Sequence, residues 1–219
     1  MWMKSRTGIV DAAILLVLAA SGCKDAETLA QRGDAALVHG DFDTAIYNYT
    51  QAIRLAPNDP LHYNDRAFAY MGNRDYTKAV VDFGEAIRLA PNNSQRYINR
   101  AGAYLAIGDA DSAIGDINES IRLAPRSPVG YCERASAYEQ KGNHSKAIAD
   151  YTEAITRSPS YAPAYYCRAV IYERIGDGDK AKADFAEAER LGISAYPRAN
   201  KRDRSNIERD VDAARPTGS

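Results

Sequence analysis

Cysteine is scarce in this sequence: Cys23, Cys132 and Cys167 are the whole supply. So few exclude a small scaffold stapled by disulfides. An excess of one charge is missing too. Lys and Arg number 28 against 29 Asp and Glu, a net charge of −1. That balance lacks the basic face of a nucleic-acid binder, so no nucleic-acid partner is expected. Long hydrophobic runs are absent. The longest, AAILLVLAA at 12–20, has nine residues, about half of what a membrane-spanning helix needs. Constellations of reactive groups are missing as well. His39, His62 and His144 do not stand at metal-ligand spacing. No Gly-rich phosphate loop follows a strand, and no Ser or Cys sits in a nucleophile motif. The reading is a chain that is not an enzyme, with no catalytic, cofactor-binding or metal-ligating residue.

What the sequence has is tyrosine and repetition. Fifteen Tyr stand against four Phe and one Trp, which points to half-buried rings with hydroxyls at a wet edge. Pro57, Pro91, Pro125 and Pro159 recur every 34 residues. Rows of that length, started at Ala26, align much more. The fourth column is Leu29, Tyr63, Tyr97, Tyr131, Tyr165, and the eighth is Gly33, Ala67, Ala101, Ala135, Ala169. The eleventh begins with Ala36 and then holds Tyr70, Tyr104, Tyr138 and Tyr172. The twentieth is alanine throughout, from Ala45 to Ala181. The twenty-fourth is Tyr49, Phe83, Ile117, Tyr151, Phe185. Columns four, eight and eleven fall on one face of a first helix, and columns twenty, twenty-four and twenty-seven on one face of a second. Gly40, Gly108, Gly142 and Gly176 fall between the two, where a positive φ suits glycine.

This pattern resembles the tetratricopeptide repeat. The resemblance implies an all-α fold, a right-handed α-solenoid of about five helix-turn-helix repeats, at 26–59, 60–93, 94–127, 128–161 and 162–195. Stacked repeats bury a core that no single repeat closes alone. Lys182 and Glu189 replace the apolar residues of the earlier repeats at their columns, so the fifth repeat reads as a polar cap. Residues 196–219 are expected to form a polar cap or loose tail, with a basic cluster at Arg198, Lys201, Arg202 and Arg204.

One column departs from the family. The seventh, usually apolar, is Arg32, Arg66, Arg100, Arg134 and Arg168, and the twenty-third is Asn48, Asp82, Asp116, Asp150 and Asp184. Arginine and aspartate recurring in step predict a row of ion pairs between paired helices. The alternative is a row of arginines gripping an anionic ligand.

The N-terminus has three parts: Lys4 and Arg6, the apolar run, then Ser21, Gly22 and Cys23. This is the layout of a secretory signal over 1–22. The ending AASGC resembles the bacterial lipobox. The resemblance implies cleavage before Cys23, a diacylglycerol with acyl chains such as palmitate joined to its thiol, and a short linker over 23–25. It implies a lipid-anchored protein of the bacterial cell envelope that faces the periplasm. Lys24, in place of aspartate, implies the outer membrane over the inner.

In the tetratricopeptide family the first helices line a concave peptide-binding groove. The resemblance places there Asn64, Asp65, Phe68, Met71, Ile98, Asn99, Leu105, Glu133, Ser136, Glu139, Tyr166, Val170 and Glu173. The row lacks the lysines with which some relatives hold a terminal carboxylate. It suits an extended or helical segment with apolar anchors and some positive charge. The implied function is a membrane-tethered adaptor for protein or peptide partners of the envelope. The alternative is a structural subunit of an oligomeric envelope, pilus or secretion assembly. Cys132 and Cys167, on neighbouring first helices, are compatible with either a disulfide or two thiols.

Overall fold

The computed structural model describes residues 24–193. The signal segment, Cys23 and the tail at 196–219 lie outside the described residues. Among those described there are ten helices and no strand. Helix α1 covers residues 24–38. It is followed by α2 (Phe42–Leu55), α3 (Pro60–Gly72), α4 (Tyr76–Leu89), α5 (Ser94–Ala106) and α6 (Ala110–Leu123). Then come α7 (Pro128–Gln140), α8 (His144–Arg157), α9 (Ala162–Arg174) and α10 (Gly178–Arg190). Odd-numbered helices are the first of each repeat and even-numbered ones the second. From α2 to α7, and again from α9 to α10, adjacent helices pack in sequence order, the arrangement of an α-solenoid. The chain divides within α8 into two compact units, Met1–Asp150 and Tyr151–Ser219.

Local chemistry sets the helix ends. Asp41, Asp75, Asp109 and Asp177 accept from backbone N–H groups three residues on, at 3.0–3.4 Å, and Asn143 does the same at 3.1 Å. Each occupies an orphan donor at the start of a second helix. First helices start from Asp59, Asn93 and Ser127, whose side chains accept from N–H groups two residues on. The turns before the second helices pass through the left-handed region, with φ of 72° at Gly40, 83° at Gly108, 70° at Gly142 and 85° at Gly176. The second repeat places Arg74 there, at φ 61°, so this turn carries a strain of about 1–2 kcal/mol that its glycine counterparts avoid.

In the first unit each repeat has a small core. Ala45 and Tyr49, Ala79 and Phe83, and Ala113 and Ile117 anchor three successive clusters. In the first repeat Gly33 packs directly against the Tyr49 ring. A Cβ at Gly33 would lie 2.6 Å from the Tyr49 ring. Each cluster is completed from the next repeat by a fully buried alanine: Ala69, Ala103 and Ala137. These tenth-column methyls are the contact through which one repeat docks on the one before it. Each stabilises by about 0.8 kcal/mol, and a bulkier residue would push the helices apart.

In the second unit α9 packs on α10. Ala169, Ile171, Ala181 and Ala188 are buried, and the Tyr166 ring meets Phe185 edge-on at 5.6 Å. Lys182 and Glu189 are exposed, as expected of a polar cap. Among the described residues no helix is long and apolar enough to cross a membrane.

Candidate functional site

Two rows of side chains run along the first helices, and the structure separates their roles. The arginine row is inside the repeats. Arg66 donates from Nε and Nη2 to the two carboxylate oxygens of Asp82, at 2.7 and 2.8 Å. Arg100 does so to Asp116 at 2.7 Å twice, and Arg134 to Asp150 at 2.8 Å twice. In the second unit Arg168 repeats the fork on Asp184, again at 2.8 Å twice. These are two-pronged, charge-assisted bonds, and all four aspartates are buried. The Asp116 carboxylate holds the Arg100 guanidinium above its ordinary pKa. The expected ion pairs between helices are present in four repeats. The first repeat differs: Asn48 donates to the Thr44 carbonyl of its own helix at 2.8 Å, and Arg32 is exposed.

Tyrosines enclose the guanidinium groups. Arg66 lies 5.8 and 5.9 Å from the ring centres of Tyr63 and Tyr70, and Arg168 lies 5.9 Å from both Tyr165 and Tyr172. The fourth-column hydroxyls donate to proline carbonyls six residues back: Tyr63 to Pro57, Tyr97 to Pro91, Tyr131 to Pro125 and Tyr165 to Pro159, at 3.0–3.3 Å. The abundance of tyrosine follows: each of these rings packs on an arginine or ties down a loop. The remaining guanidinium nitrogen reaches back to the preceding second helix. Arg66 Nη1 donates to Thr50 at 3.1 Å, Arg134 Nη1 to Asn118 at 2.7 Å and Arg168 Nη1 to Thr152 at 2.8 Å. Each of these three arginines thus joins three helices. With carboxylates filling their forks, Arg66, Arg100, Arg134 and Arg168 are structural and are not an anion grip.

The other row faces the opposite side of the first helices. On α3, Leu61, Asn64, Asp65 and Phe68 form a stripe at helical spacing. Phe68 is 42% exposed and its ring stands edge-on against Phe83 at 5.3 Å. Leu61, at column two, is 56% exposed and extends the apolar surface beyond the residues the sequence singled out. On α5, Ile98 and Leu105 are half-buried and packed on the core beneath them, as is Met71 of α3 on its own. A polar chain crosses between the helices: Gln95 Nε2 donates to Asn99 Oδ1 at 3.0 Å, and Asn99 Nδ2 to Asn64 Oδ1 at 2.9 Å. Asn64 Nδ2 then donates to Asp65 Oδ1 at 3.1 Å. The two asparagines are therefore engaged with each other across neighbouring repeats.

Burial raises the Asp65 carboxyl above its ordinary pKa, with Asp34 and Asp59 adding to it and Asn64 and His62 opposing. Burial alone raises Glu133 of α7. Ser136 and Glu139 of α7 are half-buried on the same helix. Tyr166 and Val170, half-buried, and Glu173, exposed, lie on α9 in the second unit. Cys132 and Cys167 are both thiols and half-buried. Among the described residues no three His, Cys, Asp or Glu side chains group to hold a metal ion.

The comparisons agree with this architecture. Residues 33–73 and 136–176 match a TPR repeat model, and residues 63–93 a tetratricopeptide repeat model. Those segments therefore carry tetratricopeptide repeats. Its fold is shared with a crystal structure of MamA, 26% identical, with a TM-score of 0.63 over 73% of this chain and 93% of MamA. MamA residues 41 to the end from Desulfovibrio magneticus RS-1 is 21% identical, with a TM-score of 0.66 over 78% of this chain and 98% of that one. YrrB, described as a TPR protein with an unusual peptide-binding site, is 16% identical, with a TM-score of 0.55 over 73% of this chain and 82% of YrrB. No curated protein matches the chain significantly.

Proposed function

We propose that this protein is a non-enzymatic docking scaffold, held at a membrane of the bacterial envelope by lipid on Cys23. It receives peptide segments or proteins on the inner face of its first helices. The observation that carries this reading is the exposed apolar stripe of Leu61 and Phe68 beside a carboxylate kept half-buried at Asp65. Exposed rings beside groups that can orient a ligand are what binding surfaces use. The tetratricopeptide fold is a known platform for such contacts, and in YrrB it holds a peptide-binding site. The lipobox-like AASGC supports the anchor, and Lys24 the outer membrane. Two or more acyl chains hold a domain firmly beside the bilayer.

The test is capture of partners from gently solubilised envelopes, wild type against a Phe68→Glu, Ile98→Glu variant that melts cooperatively. A protein held by wild type and lost by the variant places docking on this face. Equal capture would move docking elsewhere.

A second reading has one observation in its favour. Tyr47 and Val81, on the second helices α2 and α4, are 64% and 66% exposed. They suit self-association of a structural subunit. Light scattering on the purified protein separates the two, a monomer favouring the scaffold.

A further inference from the structure

The inner face of the first unit is of one sign. In columns two, five, six, nine, twelve and thirteen of α1, α3, α5 and α7 stand Glu27, Asp34, Asp65, Glu133 and Glu139, and no Lys, Arg or His. The whole chain is near neutral, so the imbalance is local. Elsewhere the fold matches buried acids with bases, as the aspartates opposite Arg66, Arg100 and Arg134 show. At Asp65 and Glu133 it does not. Asp65 lies near two other acids, Asp34 and Asp59, and one histidine, His62, and its neutral neighbour Asn64 supplies the hydrogen bond. Glu133 is half-buried on α7, and burial alone pushes its carboxyl up. Neither carboxylate belongs to a structural pair that would account for its burial. On the same face of α3 as Asp65 stand the exposed apolar side chains of Leu61 and Phe68.

We propose that the occupant of this groove is a cationic segment of another protein, with an apolar side chain seated on Leu61 and Phe68 and Lys or Arg side chains set against Asp65 and Glu133. The inference rests on the scaffold reading above and names its partner by chemistry. It also sets a spacing. Asp65 and Glu133 share a column on α3 and α7, with α5 between them, so they lie about 16–20 Å apart at two helix spacings of about 8–10 Å each. An extended segment spans that distance in about five or six residues. The segment therefore carries its two cations about five or six positions apart, with an apolar residue near the first. Long-range attraction between the acidic face and such a segment speeds encounter and weakens with salt.

The experiment titrates full-length protein, in mild detergent, with four labelled synthetic peptides. The first is a twelve-residue peptide with one Leu and two Lys set about six residues apart. In the second Glu replaces both Lys, and in the third Ser replaces Leu. The fourth is residues 196–211 of this chain, which carry its own basic cluster. The Leu–Lys peptide is expected to bind at least about tenfold more tightly than the Leu–Glu and Ser–Lys peptides. An Asp65→Asn, Glu133→Gln variant should lose about tenfold for the Leu–Lys peptide while melting no lower than wild type. If the Leu–Lys and Leu–Glu peptides bind equally and Phe68→Ala abolishes both, the groove stands and the cationic occupant is overturned. If neither binds and Phe68→Ala changes nothing, the groove reading falls with it. Tighter binding of the 196–211 peptide than of the Leu–Lys peptide would make this chain's own tail the occupant and overturn the assignment to another protein.

Discussion

On the core side of α5, Arg100 is locked to Asp116 by two hydrogen bonds of 2.7 Å. On the inner side of α3 and α7, Asp65 and Glu133 are half-buried and shifted toward the protonated form. Both sets are desolvated charges on the same type of helix. One set is neutralised within the fold and the other is not. The comparison teaches how to sort the charged columns of a repeat protein. A charge that recurs with its partner at a fixed offset stabilises the stack. A desolvated charge without that partner costs stability, and so points to what binds there.

Removing members of each set puts that sorting at risk. The largest effect is expected from Asp116→Ala, which leaves Arg100 half-buried without its fork. It should cost about 3 kcal/mol, seen as a lower denaturant midpoint at unchanged slope. An unchanged midpoint would mean that the arginine row contributes nothing and that the comparison has no stabilising side. The double variant Arg100→Leu, Asp116→Leu should recover much of the loss, because a buried pair is often no better than apolar packing.

A smaller effect is expected at the third guanidinium contact. Thr50→Val keeps the shape but removes the hydroxyl that receives Arg66 Nη1. It should cost about 1 kcal/mol. The third repeat supplies an internal control, because Gly84 occupies the equivalent column and no side chain there can accept from Arg100. Deletion of the hydroxyl with no loss would show that the arginines clamp only within a repeat.

The smallest effect has the opposite sign. Glu133→Gln should stabilise the protein at neutral pH by about 0.5 kcal/mol, because it removes a desolvated charge. The pH dependence follows from the direction of the shift. A carboxyl whose folded pKa is raised binds protons more readily folded than unfolded, so its contribution favours folding at low pH. That contribution is lost as pH rises from the ordinary glutamate value through the raised one. The stability difference between wild type and the Glu133→Gln variant should therefore shrink as pH falls through this window. A variant less stable than wild type at neutral pH would return Glu133 to the structural set.

Much of the fold was legible in the sequence. The 34-residue register gave the helices and the glycine turns, because both depend on residue type at a repeated position. The arginine forks were legible because both partners recur together. Three things were not. The docking role of Ala69, Ala103 and Ala137 is hidden because alanine is also an ordinary helix former. The backward bond of the arginines is hidden because its acceptor column changes among Thr50, Gly84, Asn118 and Thr152. The Asn64–Asn99 bond and the desolvation of Asp65 and Glu133 depend on how neighbouring repeats close over one another. Composition does not carry that. The candidate groove residues rest on resemblance alone, which does not single out Leu61.

The most direct test of the central claim, that the inner face of the first unit is the docking surface, is a hydrogen-exchange footprint of the full-length protein with its captured envelope partner. Added protection is expected on α3, α5 and α7, strongest around Asn64–Phe68 and Ile98–Asn99, with α2, α4 and α6 unchanged. Protection confined to the second helices, around Tyr47 and Val81, would contradict the account and make the outer surface the site of assembly.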